Sequence, residues 1–387
     1  MKSYFYIAAL FIIIGNQLFA QAVVYVDPPM IKFTSENVAT VNVKIAAVND
    51  LRSYSVSIVF NNSVLDVTNL RRGSFLRSAG ASQTFFAPQP SLSNIIDNFD
   101  GNEVMLPEFS TGEFLTASGN GTLFSIDFNI LESGISSITI ESVILKDSNN
   151  NNIPVDFASG SIVVKLPVKV KAFFEGPFSV DKMNTGLNLN GVLPLTQPYS
   201  NSPWNYSGNE NVASGFFITH PNIVDWILIE LRAGSAQSTK LTEQAGFILE
   251  DGSIVGLDGI SPMYFEQDAG NYNIVITHRN HLSIMTPGLQ TIERASGVYD
   301  FSTSQGKAFG SLPMVELAAG IYGLYAGDAN SDGNITGTDF NIYNPDFRSA
   351  FSEYINTDFN LDGSVTGTDF NLFNPNFRNA KSSFVPK

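Results

Sequence analysis

The sequence predicts a mainly β protein of several domains, with a small C-terminal module built on a repeated acidic loop. Short runs of alternating apolar and polar residues, broken by Asn, Gly and Pro, fill most of the chain. A period of two residues is typical of half-buried strands, and helical periodicity is nearly absent. Near the C-terminus one Asp- and Asn-rich phrase occurs twice, and its first aspartates, Asp328 and Asp358, lie 30 residues apart.

The first 22 residues predict a cleaved signal peptide. A basic start precedes an apolar run at residues 8–14, and Ala20-Gln21-Ala22 offers a small-x-small cleavage site after Ala20 or after Ala22. The apolar run is shorter than the ~20 residues of a membrane-spanning helix. We therefore expect an exported protein, either secreted or held at the cell surface, without a membrane span.

The charge balance excludes two classes of partner. The chain has 21 basic and 36 acidic residues and a net charge of −15, which disfavours binding to nucleic acid or to an anionic lipid surface. It has no cysteine, so disulfides cannot stabilise it outside the cell. A bound metal cation is a reasonable substitute, because metal binding can supply folding free energy.

Residues 23–165 predict a β-sandwich. Alternation is clear at residues 54–60 and 122–130, and many such runs at regular spacing are typical of sandwiches. Three phrases combine this alternation with Asn or Gly: Phe60-Asn61-Asn62-Ser63-Val64-Leu65, Gly119-x-Gly121-Thr122-Leu123-x-x-Ile126-x-Phe128 and Val143-Ile144-Leu145-Lys146-Asp147.

This running pattern is similar to that of cohesin domains. The resemblance spans essentially the whole segment. It implies a cohesin-like jelly-roll sandwich, nine-stranded and flattened, whose open sheet face docks a dockerin module. The alternative is a generic adhesin-like sandwich that spaces other domains, because one fold hosts many functions.

Residues 166–325 predict a second β-rich domain. The phrase Lys165-Leu166-Pro167 marks its start, and long apolar runs at residues 223–232 and 272–282 predict strands buried on both faces. The domain resembles an uncharacterised β-rich segment found in secreted proteins of the Bacteroidetes and their relatives. That resemblance implies no activity.

Tyr199, Trp204 and Tyr206 form an aromatic loop in this domain with two interpretations. Exposed aromatic rings stack on sugars, so the three side chains are a candidate ligand platform for polysaccharide. Aromatic residues beside prolines also plug the ends of sandwiches, and large aromatics are buried on average.

The sequence predicts no catalytic residues. Asp225 and Glu230 share a strand, but their spacing of five places them on opposite faces, as the spacing of three does for His278 and His281. His220 is isolated, and HExxH and GxSxG motifs are absent. We expect a non-catalytic protein. The alternative is a polysaccharide-active enzyme or accessory protein with its site in the middle domain.

The repeated phrase has the spacing of a calcium loop. Calcium takes six to eight oxygen ligands, and a 12-residue loop supplies them from positions 1, 3, 5, 7, 9 and 12 around a glycine at position 6. Gly333 and Gly363 occupy position 6, and Thr336 and Thr366 occupy position 9. The predicted calcium ligands are Asp328, Asn330, Asp332, Asn334 and Asp339 in the first loop, and Asp358, Asn360, Asp362, Ser364 and Asp369 in the second.

Residues 326–387 therefore predict a duplicated calcium-binding module. Position 12 is Asp where an EF-hand has Glu, and the DxNxDGxxxxxD spacing with its duplication resembles the type I dockerin, which attaches polysaccharide-degrading enzymes to cohesin-bearing scaffolds. Pro345 and Pro375 follow soon after each loop and predict short helices of about two turns at most, unlike a dockerin. The resemblance implies bound Ca²⁺, while the short helices argue against cohesin binding by this module.

Taken together, these features predict a non-catalytic, exported modular protein that binds dockerin- or cohesin-bearing proteins or polysaccharide. Calcium stabilises its C-terminal module. We expect a monomer, with head-to-tail self-association of the cohesin-like and dockerin-like ends as the alternative.

Overall fold

The computed structural model describes residues 21–78, 84–86, 103–110, 116–349 and 353–387. Residues 1–20 of the predicted signal peptide lie outside the described residues, whereas Ala22 is the buried first residue of a strand. The chain divides into two compact units. The first consists of Met1–Leu131 and Ile135–Val163, and the second of Glu132–Gly134 and Val164–Lys387.

The first unit is a β-sandwich of two sheets, as the alternation predicts. The described residues form eleven strands where the cohesin resemblance implies nine, and one short helix. They are β1 Ala22–Asp27, β2 Met30–Phe33, β3 Val38–Leu51, β4 Ser53–Val59, β5 Leu65–Arg72, α1 Phe75–Ser78, β6 Thr84–Phe86, β7 Glu103–Ser110, β8 Ala117–Ile130, β9 Gly134–Lys146, β10 Val155–Ala158 and β11 Gly160–Val164.

One sheet has the strand order β10-β1-β3-β8-β5 and the other β2-β11-β9-β4-β7-β6. β1 pairs with β10 in parallel and with β3 in antiparallel orientation. The alternation seen in the sequence becomes alternation of burial, since Val41, Val43 and Ile45 of β3 are buried together with Phe124 and Ile126 of β8. The core of this unit therefore lies between the two sheets.

The second unit contains the predicted middle domain and the acidic repeat. Its strands are β12 Leu166–Val168, β13 Val170–Lys171, β14 Phe178–Ser179, β15 Lys182–Met183, β16 Ile223–Arg232, β17 Lys240–Leu249, β18 Ser253–Val255, β19 Met263–Phe265, β20 Gly270–Thr277, β21 Ile284–Met285, β22 Gln290–Ile292, β23 Tyr299–Asp300, β24 Val315–Ala318 and β25 Ile321–Gly323.

The helices of this unit are α2 Gly186–Leu189, α3 Phe216–Thr219, α4 Gly337–Ser349 and α5 Gly367–Arg378, with single 3₁₀ turns at Gln237–Thr239, Phe301–Thr303 and Gln305–Lys307. The main sheet has the order β21-β20-β16-β17-β18-β13-β23. Its interior strand β16 is buried along almost its whole length, as the continuous apolar run predicts. Among the described residues, no helix combines the length and apolar character needed to cross a membrane.

The boundary predicted at residues 325/326 does not separate two compact units. Residues 326–387 pack into the same unit as the middle domain, and Tyr325, Phe359 and Phe373 share one buried cluster with Leu282. The acidic repeat is thus part of a larger fold.

The helices that follow the two loops are longer than predicted. α4 has 13 residues and α5 has 12, and Pro345 and Pro375 lie inside them. Each proline removes one backbone donor, but burial of Tyr343 in α4 and Phe373 in α5 stabilises the helices on both sides. The prediction of about two turns was therefore wrong.

Candidate metal centre

The first acidic loop folds around its aspartates. The Asp328 carboxylate accepts a hydrogen bond from the Gly333 backbone N–H at 2.9 Å, and Asp332 accepts one from Asn334 N–H at 2.9 Å. At the end of the loop, Asp339 accepts a hydrogen bond from Thr336 N–H at 2.8 Å. Positions 1, 5 and 12 therefore point into the same loop.

The second loop repeats this geometry. Asp358 accepts from Gly363 N–H at 2.8 Å, Asp362 accepts from Ser364 N–H at 2.9 Å, and the last aspartate of the loop accepts from the Thr366 N–H at 2.8 Å. These distances agree with those of the first loop to within about 0.1 Å, well inside the normal spread of hydrogen bonds. The repeated sequence thus gives a repeated structure.

The glycine at position 6 is needed for the sharp turn. Gly333 has a φ of 84° and Gly363 a φ of 88°, a left-handed conformation that a side chain disfavours. Both values match the role that the sequence assigns to these glycines.

Four carboxylates at the two ends of the loops are buried. Asp328 is 3% exposed, and Asp339, Asp358 and Asp369 are 0% exposed. Burial, together with the charges of Asp339 and Asp332, raises the pKa of Asp328 to about 7. Burial likewise raises the pKa of Asp358 to about 7, and the Arg279 guanidinium offsets part of that rise. Such buried acids favour a compensating cation.

The donor set fits a hard divalent cation. Asp328 Oδ1 is buried and has no hydrogen-bond partner among the described residues. Carboxylate, amide and carbonyl oxygens are the ligands that calcium prefers. As they stand, no three His, Cys, Asp or Glu side chains in the described part of the chain converge closely enough to hold a metal. The carboxylates accept hydrogen bonds from backbone N–H groups of their own loops.

Residues of the middle domain hold the second loop directly. The Asn280 side chain donates to the Asp358 carbonyl at 2.7 Å, and the Asn190 side chain donates to the Asp362 carbonyl at 2.7 Å. Gly176 lies so close that a Cβ there would stand 1.8 Å from the Phe359 carbonyl oxygen. The second loop therefore packs closely against residues of the middle domain.

Glu175 joins the two ends of the repeat. Its carboxylate accepts the Ala326 backbone N–H at 2.9 Å and the Asn376 side-chain N–H at 2.6 Å. Burial raises the pKa of Glu175. This one side chain thus fixes the entry to the first loop and the end of α5.

Asp225 is the centre of a buried charged network. It accepts hydrogen bonds from Arg279 Nε at 3.0 Å and from the Tyr354 hydroxyl at 2.7 Å, and it lies 3.1 Å from His278 Nε2. Burial raises the pKa of Asp225, but Arg279 and His278 together hold it below its usual value. Arg279 also donates to the Ile355 carbonyl just before the second loop.

The two histidines lie together, because β20 ends at Thr277 and the chain turns there. His278 Nδ1 is 3.1 Å from His281 Nδ1, whereas a continuous strand would have separated them. Burial lowers the pKa of His278 and lowers that of His281 further, so both rings are held neutral. The expectation that the two histidines lie on opposite faces is wrong at this turn. The two rings instead contact each other, and His278 contacts Asp225.

The aromatic loop is mostly core. Tyr199 is 0% exposed and donates its hydroxyl to the Trp226 carbonyl at 2.9 Å, and the Tyr206 hydroxyl contacts Glu210. Trp204 is half-buried and packs edge-on against Tyr199, with ring centroids 5.2 Å apart. Burial corrects the sugar-platform interpretation for both tyrosines, because neither ring face is open to a ligand.

The structure adds one pair of acids that the sequence did not indicate. Glu243 of β17 lies directly opposite Glu230 of β16 in the antiparallel register. Each carboxylate makes an ion pair, Glu230 with Arg232 at 2.5 Å and Glu243 with Lys240 at 3.0 Å. A single sequence does not show which residues of two strands lie opposite each other, so this pair could not be predicted from it.

No protein-family model and no curated protein matches the chain. Solved structures with some likeness are cohesins. A non-cellulosomal cohesin from the archaeon Archaeoglobus fulgidus is 18% identical over 38% of this chain and 91% of its own, with a TM-score of 0.30. A type I cohesin–dockerin complex from Clostridium thermocellum is 13% identical over 39% of this chain and 97% of its own, with a TM-score of 0.31. A type II cohesin from Acetivibrio cellulolyticus is 13% identical over 37% of this chain and 94% of its own, with a TM-score of 0.29. Likeness at this level carries no functional inference.

Proposed function

We propose that the chain is an exported, non-catalytic binding protein whose second unit is completed by two calcium ions. The observation that carries the calcium assignment is Asp328 Oδ1, a buried carboxylate oxygen with no hydrogen-bond partner among the described residues. An unpartnered buried acceptor is costly unless a cation occupies its lone pairs. In the second loop Asp358 likewise accepts from the Gly363 N–H, while its other oxygen accepts from the Asp362 N–H at 3.1 Å.

In each loop the chain's own residues would hold the ion. Position 1 and position 12 supply buried carboxylates, positions 3 and 5 supply side-chain oxygens, and Asn334 or Ser364 at position 7 supplies its carbonyl. The role of the ion is structural: it neutralises the acids and fixes the loop that the middle domain contacts.

A calorimetric titration tests the calcium assignment. The intact protein should bind two calcium ions, Asp328→Ala and Asp358→Ala should each bind one, and the double variant none. Asp181→Ala, at an exposed aspartate outside the two loops, is the matched control and should bind two. Magnesium should bind far more weakly, because it dehydrates reluctantly and demands tighter octahedral geometry. Absence of calcium uptake by the intact protein would refute the assignment.

The partner-binding role belongs to the first unit. The cohesin-like pattern of residues 23–165 and the sandwich they form support a protein partner that carries a dockerin module. Purified type I and type II dockerins, each mixed with the intact chain in calcium and passed over a sizing column, test this role. Co-elution with any of them supports it, whereas no complex with either type favours the spacer interpretation.

Export is tested by the mature N-terminus. Ala22 of β1 is buried and pairs with Val155 of β10, which favours cleavage after Ala20 over cleavage after Ala22. Mass spectrometry of the secreted chain should find Gln21 as its first residue.

A further inference from the structure

A cleft of about 330 Å³ lies in the second unit, on one face of the main sheet. Its floor comes from three neighbouring strands: Leu228, Glu230 and Arg232 from β16, with Glu243 from β17 and Val275 from β20. Its walls are the Trp204 loop, the first acidic loop and residues 383–387. A cleft of this volume is at the small end of the roughly 300–1,000 Å³ that ligand pockets occupy.

The floor carries charged side chains that are nearly buried. The side chains of Arg232 and Glu230 are 4% and 12% exposed and form an ion pair at 2.5 Å. Arg232 also donates to the Ser235 carbonyl at 3.0 Å and to the Pro386 carbonyl at 2.8 Å. A buried ion pair is often no more stabilising than apolar residues of the same size, so stability alone does not explain it. It does provide a rigid polar surface for a ligand.

Trp204 adds an unused donor. Its indole Nε1 is buried and has no hydrogen-bond partner among the described residues, although the ring is held edge-on by Tyr199. Buried indole N–H groups usually find an acceptor. An acceptor atom of a bound ligand would satisfy this one.

The charges of the floor are balanced within the floor itself. Glu230 pairs with Arg232, and Glu243 pairs with Lys240 at 3.0 Å. The walls add Asp328 and Lys387, so the described lining carries three acids and three bases, and a charged ligand would have to disturb this balance. A neutral ligand rich in hydroxyl groups would instead use the remaining lone pairs of the carboxylates and the free indole N–H. Leu228 and Val275 offer apolar surface to the C–H groups of such a ligand.

We propose that this cleft binds a neutral, polyhydroxylated ring, of the size of one or two sugar units. The site is distinct from the aromatic platform predicted from the sequence, since Tyr199 and Tyr206 are buried and do not line the cleft, whereas Trp204 does. It also goes beyond the calcium-dependent role proposed above, which does not require it.

Calorimetry of the intact protein in calcium tests the proposal. The probes are D-glucose, D-galactose, cellobiose and maltose, with D-glucuronate and D-glucosamine as charged counterparts. At least one neutral sugar should bind saturably in the millimolar range. Trp204→Phe, which keeps a ring and removes the N–H, should weaken that binding about tenfold, the effect expected of one hydrogen bond. Glu243→Gln should weaken it by a similar factor.

Ile218→Ala is the matched control, because Ile218 is 84% exposed and does not line the cleft. It should leave binding unchanged. Urea denaturation of each variant, followed by the fluorescence of Trp226 in the core of the second unit, shows whether that unit is intact. The proposal is overturned if no neutral sugar binds, if a charged counterpart binds more tightly, or if the folded Trp204→Phe variant binds as well as the original chain.

Discussion

At the scale of single residues, Asp225 is the carboxylate that neutralises a buried positive charge in the second unit. Arg279 is 0% exposed, and its guanidinium forms an ion pair with the Asp225 carboxylate. The neighbouring histidines are held neutral by burial, so the guanidinium and the carboxylate form the charged pair of this network. A buried cation that loses such a partner is strongly destabilised.

Replacing Asp225 with Asn should therefore lower the free energy of unfolding by about 3–5 kcal/mol, the cost of leaving one buried charge unpaired. Urea denaturation followed by tryptophan fluorescence measures the change, because both tryptophans, Trp204 and Trp226, lie in the second unit. Asp181→Asn, an exposed site, should change stability by less than about 0.5 kcal/mol. Equal effects at the two sites would contradict the assigned role of Asp225.

The buried histidines predict a pH dependence of stability. Burial lowers the pKa of His281 well below its usual value, so above about pH 6.5 the ring is neutral in both the folded and unfolded states. As the pH falls below that value, the unfolded chain takes up a proton that the folded chain does not, so stability falls. The slope is at most about 1.4 kcal/mol per pH unit for one such group.

His281→Gln removes this titration and is the matched comparison. Between about pH 7.5 and about pH 5.5, measured at saturating calcium, the original chain should lose more stability than the variant. Parallel losses in the two proteins would show that His281 does not contribute.

At the scale of elements, α4 and α5 show where local sequence rules fail. Pro345 and Pro375 predict early helix ends, yet each helix continues to Ser349 or Arg378. The Ser349 hydroxyl donates to the Pro345 carbonyl at 3.0 Å, which uses an acceptor in the last turn. Packing of the buried faces outweighs the lost donor, because most helix stability in proteins comes from tertiary contacts.

Pro375→Ala should consequently stabilise the second unit. The change restores one backbone hydrogen bond and removes a steric conflict in the helix, which cost about 3 kcal/mol in an ideal helix, and it loses about 0.4–1 kcal/mol through the freer unfolded chain. The net gain should be about 2–2.6 kcal/mol by urea denaturation. A lower stability of the variant would mean that α5 requires the proline for its geometry.

Sequence reasoning was successful for elements whose pattern is local. The apolar run of β16 and the position-6 glycines Gly333 and Gly363 are where the pattern places them. It failed where distant segments decide the outcome: the opposition of Glu230 and Glu243 depends on strand register, and burial of Tyr199 depends on the sheet behind it. Both depend on tertiary packing, which the periodicity of a single sequence does not indicate.

At the scale of the whole molecule, the acidic repeat is part of the second unit rather than an appended module. Asn280, Asn190 and Glu175 of the middle domain all bond to it. Chelation of calcium should therefore destabilise the entire second unit. Each site contributes about 2.7 kcal/mol when calcium is at 100 times its dissociation constant.

Thermal unfolding with calcium and with EDTA measures this effect. The tryptophan transition, which reports on Trp226 in the core of the second unit, should move to lower temperature in EDTA. A detached module would give the opposite pattern: proteolysis of the last sixty or so residues in EDTA with an unchanged Trp226 transition. That pattern would return residues 326–387 to the status of an independent domain.

The contacts made by Glu175 also set an order of events in time. A chain is synthesised from its N-terminus, and domains usually fold as they emerge. The first unit is complete once Val163 has been made, but Glu175 must wait about 200 residues for Asn376, its partner at the end of α5. The second unit thus passes through a long interval with its core open. During that interval the exposed core residues of the second unit would depend on a chaperone, or on export of the chain in an unfolded state, for protection.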